Sequence, residues 1–491
     1  MLNKTKRILA LLLAVVLVFS LVGCSKKEDD GSSVIYQEQI EYEYVEGEDG
    51  STGGSTGGST GGSQGGSTGG SQGGSTGGSQ GGSTGVSIGV NPADYMGVTI
   101  QFATTVDPKD EGTQYVIDKF TNKYGIKVEH VACTLDNYAT EMTALISAGK
   151  APTVGRSNGD FPACLGYFQS LDAAKIDYKD DIWNQNTFKL TTYNGAPYMC
   201  DTVGNLFAEL DLVVYSKSLL KRANCPTPQE LDAAGKWNFD SFAEIGKKTA
   251  QLPGCNGLSV HVYDALFHMT GATAFGLDST NHITNGITNE TTALIQKIAQ
   301  LKKDGGFGHG SDAGLIDGSI AMTTHNLWAL RKDGPLAKHP NISDLGFYYL
   351  PNQDNGQRPV TGIFRGWGIM KGCNQNPATG SKAAVAGGIF LRYYLDVNNY
   401  NIDNMFLSQE AEDFFFELTS LDYDKVVYNP YLTYINLSTG ITGIEYNKEF
   451  YSQFIFNDPA QIPTQMSALK SKVQNGVDKL NKFIDQQIAA K

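Results

Sequence analysis

The sequence predicts an α/β fold of two similar lobes carried behind a flexible tether. Short apolar strands alternate with helical stretches from Val98 to Val154, and the alternation returns between Leu210 and Leu350. Residues 51–82, by contrast, contain only Ser, Thr, Gln and Gly. Strand–helix alternation of this length signals helices packed on a largely parallel sheet. A run with nothing apolar to bury stays a flexible coil.

Each element has its own pattern. Val98–Ala103 alternates as a half-buried strand does. Gly112–Tyr124 sets Val116, Ile117 and Phe120 at helical spacing, and Ile126–Val131 reads as a second strand. Tyr138–Ala148 is again helical, and Pro152–Val154 opens a third strand. Further on come a strand at Leu210–Tyr215, helices at Asp240–Leu252 and Glu290–Asp304, and a strand at Leu345–Leu350. Helical patterns dominate after Lys382. In a chain of 491 residues, the body that starts near Met96 suits two lobes and needs no third domain.

The N-terminus has another purpose. Lys4, Lys6 and Arg7 precede an apolar run from Ile8 to Val22. A membrane span needs ~20 apolar residues, so this shorter run fits the h-region of an export signal. It ends in Leu21-Val22-Gly23-Cys24, which resembles the bacterial lipobox, where the cysteine is acylated and becomes the mature N-terminus. The alternative is an ordinary signal peptide followed by a chance cysteine. The reading is thus a signal peptide at 1–23, an acidic stalk at 24–50, a Gly/Ser-rich linker at 51–95 and a globular body at 96–491. The stalk carries nine acids between residues 25 and 50 against Lys26 and Lys27, and the eight Ser-Thr-Gly-Gly or Ser-Gln-Gly-Gly repeats follow. Those 32 residues span about 30 Å root-mean-square, at roughly 5–6 Å times √n.

A net charge of −13 with no basic stretch excludes nucleic acid as a partner. Beyond Cys24 the cysteines are Cys133, Cys164, Cys200, Cys225, Cys255 and Cys373. None has C-x-x-C spacing, so zinc and redox sites have no support, and no cofactor is expected. The six read as small buried hydrophobes, with a disulfide left open by export.

One motif raises the possibility of an enzyme. Gly155-Arg156-Ser157-Asn158-Gly159 matches G-x-S-x-G, which can place a nucleophilic serine on a strained turn. No HGGG-type segment precedes it, no histidine pair has metal-ligand spacing, and no nucleotide or calcium loop is complete. A tethered serine hydrolase stays as the weakest alternative.

A series of blocks carries a family resemblance. Ile146-Ser147-Ala148-Gly149-Lys150-Ala151-Pro152-Thr153-Val154 resembles the "aaGkaPDv" signature of extracellular solute-binding protein family 1, the maltose-binding-like group. Gly166–Asp172, Tyr193–Tyr198, Val213–Leu220, Gly235–Phe242, Asp317–Met322 with Trp328, and Gly366–Ile369 with Ala383–Tyr394 are similar to further blocks, in the family's order. Thr153 and Ser216 depart from the usual aspartate and asparagine. The resemblance implies two α/β lobes joined by hinge strands, with ligand held in the cleft between them. Lobe one would be about 97–206 and 362–425, and lobe two about 207–361 and 426–491. It also implies a monomeric substrate-binding lipoprotein of an ABC importer, which hands a small solute, foremost an oligosaccharide, to permease transmembrane subunits. Its place would be the extracytoplasmic face of the cell membrane, at a Gram-positive surface. A surface protein that retains or senses glycans without import is the alternative from another class.

A sugar site pairs aromatic platforms with carboxylate, amide and guanidinium groups. Trp328 matches the family's stacking tryptophan, against a core tryptophan. Trp367, between Gly366 and Gly368, is a second platform, against a core strand residue. Arg365 offers a fork of donors, against a hinge ion pair. Asp160 matches a polar contact at the mouth of lobe one, against a helix N-cap before Pro162. Ser157 and Asn158 can bond hydroxyls, and Tyr263 and Asp264 are candidates from lobe two. Trp183 and Trp237 read as packing.

Overall fold

The computed structural model describes residues 89–489 apart from 110–111, 135–137, 158–162, 261–264, 266–268, 271–274, 279–281, 307–311, 364–365, 422–426 and 429–457. These residues belong to a unit spanning 82–491. Cys24 and the tether lie outside them.

Ile100 and Phe102, two apart and both fully buried, give Thr99–Thr104 (β1) its inward face. Parallel neighbours flank it, Lys127–Ala132 (β2) on one side and Val154–Arg156 (β3) on the other. The helix Gln114–Tyr124 (α1) makes the crossover from β1 to β2 and buries Val116, Ile117 and Phe120. It stops at Gly125, whose φ of 65° reverses the chain into β2. Tyr138–Ser147 (α2) makes the next crossover, and Phe168–Gln169 (β4) is an edge strand.

A second sheet forms around Glu209–Ser216 (β5), whose residues from Leu210 onward are all buried. Leu258–Val260 (β6) runs parallel to Met322–Asn326 (β7), while β7 and Leu345–Tyr348 (β8) flank β5 antiparallel. The helices Phe239–Thr249 (α3), which opens on a capping box of Asn238 and Ser241, Asn289–Lys303 (α4) and Asp312–Asp317 (α5) lie in the same stretch of chain.

The chain then returns. Gly362–Ile363 (β9) pairs antiparallel with the start of β5, and Trp367–Met370 (β10) inserts between β3 and β4, antiparallel to both. The first sheet is therefore ordered β2-β1-β3-β10-β4 and the second β8-β5-β7-β6. The parallel expectation holds for β1, β2 and β3 but is corrected for the second sheet, where only β6 and β7 run parallel. Two-sided burial produces an apolar run in either direction, so periodicity carries no information on strand sense.

Ala383–Tyr394 (α6) covers the first sheet. Gly387 lets it approach so closely that a Cβ there would stand 2.8 Å from the Thr153 methyl. Gln409–Thr419 (α7) falls in the stretch expected with lobe one, and Phe414, Phe415 and Leu418 pack it into the core of the second sheet. Ile462–Ala489 (α8) closes the described chain against α4 and strand 283–285. All six described cysteines are buried thiols.

Candidate functional site

The site begins with the two segments that cross between the sheets. Cys200 and Trp367 exchange backbone hydrogen bonds, the amide of each donating to the carbonyl of the other at 2.8 and 3.0 Å. The Asp211 amide donates to the Thr361 carbonyl at 2.8 Å, and Gly362 pairs with Leu210. At Gly362 a Cβ would stand 2.0 Å from the Glu209 carbonyl oxygen, so only glycine admits this approach. Outgoing and returning chains thus run side by side.

Arg156, at the end of β3, reaches into this crossing. Its Nη2 donates to the Phe207 carbonyl at 3.1 Å and lies 3.7 Å from Glu209 Oε1. Its guanidinium carbon sits 5.4 Å from the Trp367 ring centroid and 5.7 Å from that of Phe207, which suits cation–π contact. Asp201, nearby on the outgoing segment, has its carboxyl pushed up to about 7 by burial, with the Thr202 amide, Asn205 and Arg156 pulling the other way.

The second sheet delivers Trp328 to the same end. Asn326 stands opposite Asp211 in the β5–β7 register, so the 3-10 turn Leu327–Leu330 leaves the sheet beside the crossing. Leu327, Ala329 and Leu330 are buried in that turn, and Trp328 alone keeps partial exposure. The turn that carries Trp328 packs against β5, whose first residue, Glu209, lies beside the Arg156 guanidinium. Indole, guanidinium and carboxylate are the residue mixture that grips a hydroxylated ring.

Two expectations are corrected here. Trp367 is 1 % exposed: Phe102 stacks on it at 5.5 Å, and Phe207 and Tyr394 meet it edge-on at 5.7 and 5.6 Å. The room left by Gly368 is used by Phe168, whose ring would lie 2.7 Å from a Cβ there. Trp367 is a floor beneath Arg156 and presents no face to a ligand. Ser157 is fully buried, and its amide donates to the Gly366 carbonyl at 2.7 Å, joining β3 to the returning chain. A nucleophile elbow holds its hydroxyl exposed, so this geometry fits a structural stitch. Asn158, Asp160, Tyr263, Asp264 and Arg365 lie outside the described residues. Arg156 was missed in the sequence reading. Its signal was a cation ending a short strand, inside the Gly155–Gly159 run.

The bacterial extracellular solute-binding protein family matches residues 115–395, more than half of the chain. The chain belongs to this family. Its fold recurs in maltose-bound MalE3 of T. maritima, at 18% identity and a TM-score of 0.51, covering 79% of this chain and 99% of that one. It recurs in a solute-binding protein of an ABC transporter from Thermotoga lettingae bound with α-D-tagatose, at 15% identity and 0.53, covering 77% and 99%. The GacH receptor of Streptomyces glaucescens, solved unliganded and with acarbose, matches at 16% and 0.51, covering 77% and 98%. No curated protein matches this chain. This solute-binding protein accordingly has the two-lobed architecture, with its crossing segments as hinge strands. The family consists of binding proteins and is extracellular. Among the described residues no helix is long and apolar enough to cross a membrane.

Proposed function

We propose that this solute-binding protein is the lipid-anchored capture subunit of an ABC importer and takes an oligosaccharide into the cleft between its lobes. The observation that carries the reading is Trp328, left partly exposed at the crossing end of the second sheet while its three turn-mates are buried. An indole face stacks on the C–H face of a sugar, and Arg156 and Glu209 supply hydrogen bonds to hydroxyls on the opposite side. Asp160, Asn158, Arg365, Tyr263 and Asp264 are proposed as further ligand contacts. Proteins of like fold bind maltose, tagatose and acarbose, which supports the carbohydrate class. Closure is a hinge motion about the crossing segments. Cys24 provides the anchor, because two or three acyl chains hold a protein on a membrane where one does not.

The test is a thermal-shift panel of maltose, maltotetraose, tagatose and acarbose on the purified protein. A ligand at 100 times its dissociation constant adds about 2.7 kcal/mol to the folded state, which raises the melting temperature visibly. A shift with amino acids or peptides and none with any saccharide would remove the carbohydrate assignment.

A further inference from the structure

The turn that carries Trp328 is tied to a buried histidine. Leu327, Ala329 and Leu330 hold its underside by apolar contact, which is non-directional and leaves the turn's rotation open. Hydrogen bonds supply the direction. The Trp328 amide donates to Asn326 Oδ1 at 3.2 Å, and the Asn326 amide donates to His325 Nδ1 at 2.8 Å. Nδ1 also lies 3.2 Å from the Asn326 carbonyl, yet a backbone amide always carries its proton, so Nδ1 is the acceptor. The imidazole proton therefore sits on Nε2, which donates to Asp312 Oδ1 at 2.9 Å. His325 is fully buried, and Asp312 opens α5. From the other side, the Arg331 amide donates to the Trp328 carbonyl at 3.1 Å, and a Cβ at Gly334 would stand 2.1 Å from that same oxygen.

We propose that His325, oriented by Asp312, is the positioning residue that sets the aim of the Trp328 indole through Asn326. This rests on Trp328 being a ligand platform. The chain of bonds runs carboxylate, imidazole, backbone amide, cap side chain and Trp328 amide. A leucine at position 325 would fill the volume and break the chain at its centre. A glutamine would keep a donor in reach of Asp312.

The protein labelled with 5-fluorotryptophan tests this without any ligand. Its four tryptophans, Trp183, Trp237, Trp328 and Trp367, give four fluorine resonances, and Trp328→Phe identifies one of them. His325→Leu should shift, split or broaden the Trp328 resonance alone, and His325→Gln should restore a single line near its original position. Asp312→Ala, farther from the strand, should move the same line and serves if His325→Leu does not fold. An unmoved Trp328 line in the folded variants overturns the proposal. In a second measurement, affinity for maltotetraose should fall about 3- to 10-fold in His325→Leu, the scale of a lost hydrogen bond, with no further fall when the change is added to Trp328→Ala. An equal extra loss in that background also overturns it. Absence of saccharide binding together with a moved resonance would sink the carbohydrate reading and leave the positioning role intact.

Discussion

The Arg156 guanidinium donates to the Phe207 carbonyl at 3.1 Å, so a side chain from the first sheet is bonded to the segment that leaves for the second. The contact spans 51 positions of sequence. Glu209 lies two residues beyond Phe207, and Trp367 on the returning chain lies beneath the same guanidinium. One residue of the first lobe thereby touches both crossing segments at the place where Trp328 arrives from the other lobe.

Trp328→Ala should weaken ligand binding by ~1–3 kcal/mol with little change in melting temperature, because a partly exposed stacking face is lost while its buried turn-mates stay packed. Isothermal titration with the saccharide found in the thermal-shift panel measures it. Unchanged affinity would take Trp328 out of the site.

Arg156→Met should destabilise the protein by about 1–3 kcal/mol, the scale of a hydrogen bond from a charged group. Methionine keeps an apolar stem over Trp367 but offers no donor to Phe207. Arg156→Lys should recover only part of the loss, since an ammonium lacks the planar fork that stacks and donates together. The midpoint of urea unfolding reads both variants. A midpoint equal to wild type in Arg156→Met would show that the crossing does not depend on this contact.

Asp201 makes stability depend on pH in an unusual direction for a carboxylate. Its folded pKa of about 7 lies above the ordinary 3.8, so the folded state holds the proton longer than the unfolded state does. The stabilisation is full below about pH 4 and is lost as pH rises towards 7. Asp201→Asn removes the titration. Its melting temperature relative to wild type should rise between about pH 4 and pH 7 and then level off. A gap that stays flat or narrows over that window would contradict the burial of a protonated carboxyl beside the crossing.

On the proposed anchoring, Cys24→Ala should move the protein from the membrane to the soluble fraction on cell fractionation, because that proposal attaches the acyl chains at this thiol. Continued membrane retention would point to the N-terminal apolar run as an uncleaved anchor.

Much of the fold was legible. The helices at Gln114–Tyr124, Tyr138–Ser147, Phe239–Thr249 and Asn289–Lys303 lie within a few residues of the positions read from their apolar spacing. Their amphipathic faces are local features, and the caps Asn238 and Thr288 and the stop at Gly125 are displayed in the sequence. The site was legible only in part. Trp328 and Trp367 both sit in family-like blocks, and nothing in either neighbourhood tells an exposed ring from a covered one. The glycine beside Trp367 looked like room for a ligand and proved to be room for Phe168. Ser157 looked like a contact or a nucleophile and proved to be a stitch to Gly366. Arg156 drew no notice, since its partners lie on segments remote in sequence.

The sequence by itself determined an α/β body of two lobes, the order of its elements and the family to which the chain belongs. These follow from periodicity, composition and motif order, which are written locally along the chain. Only the tertiary structure decided which tryptophan is a floor and which stays partly exposed, which arginine joins the crossing, and that Asn326 stands opposite Asp211. Those outcomes depend on strand sense and register between segments fifty-one or more residues apart, and side-chain burial is set by the neighbours that such pairing brings.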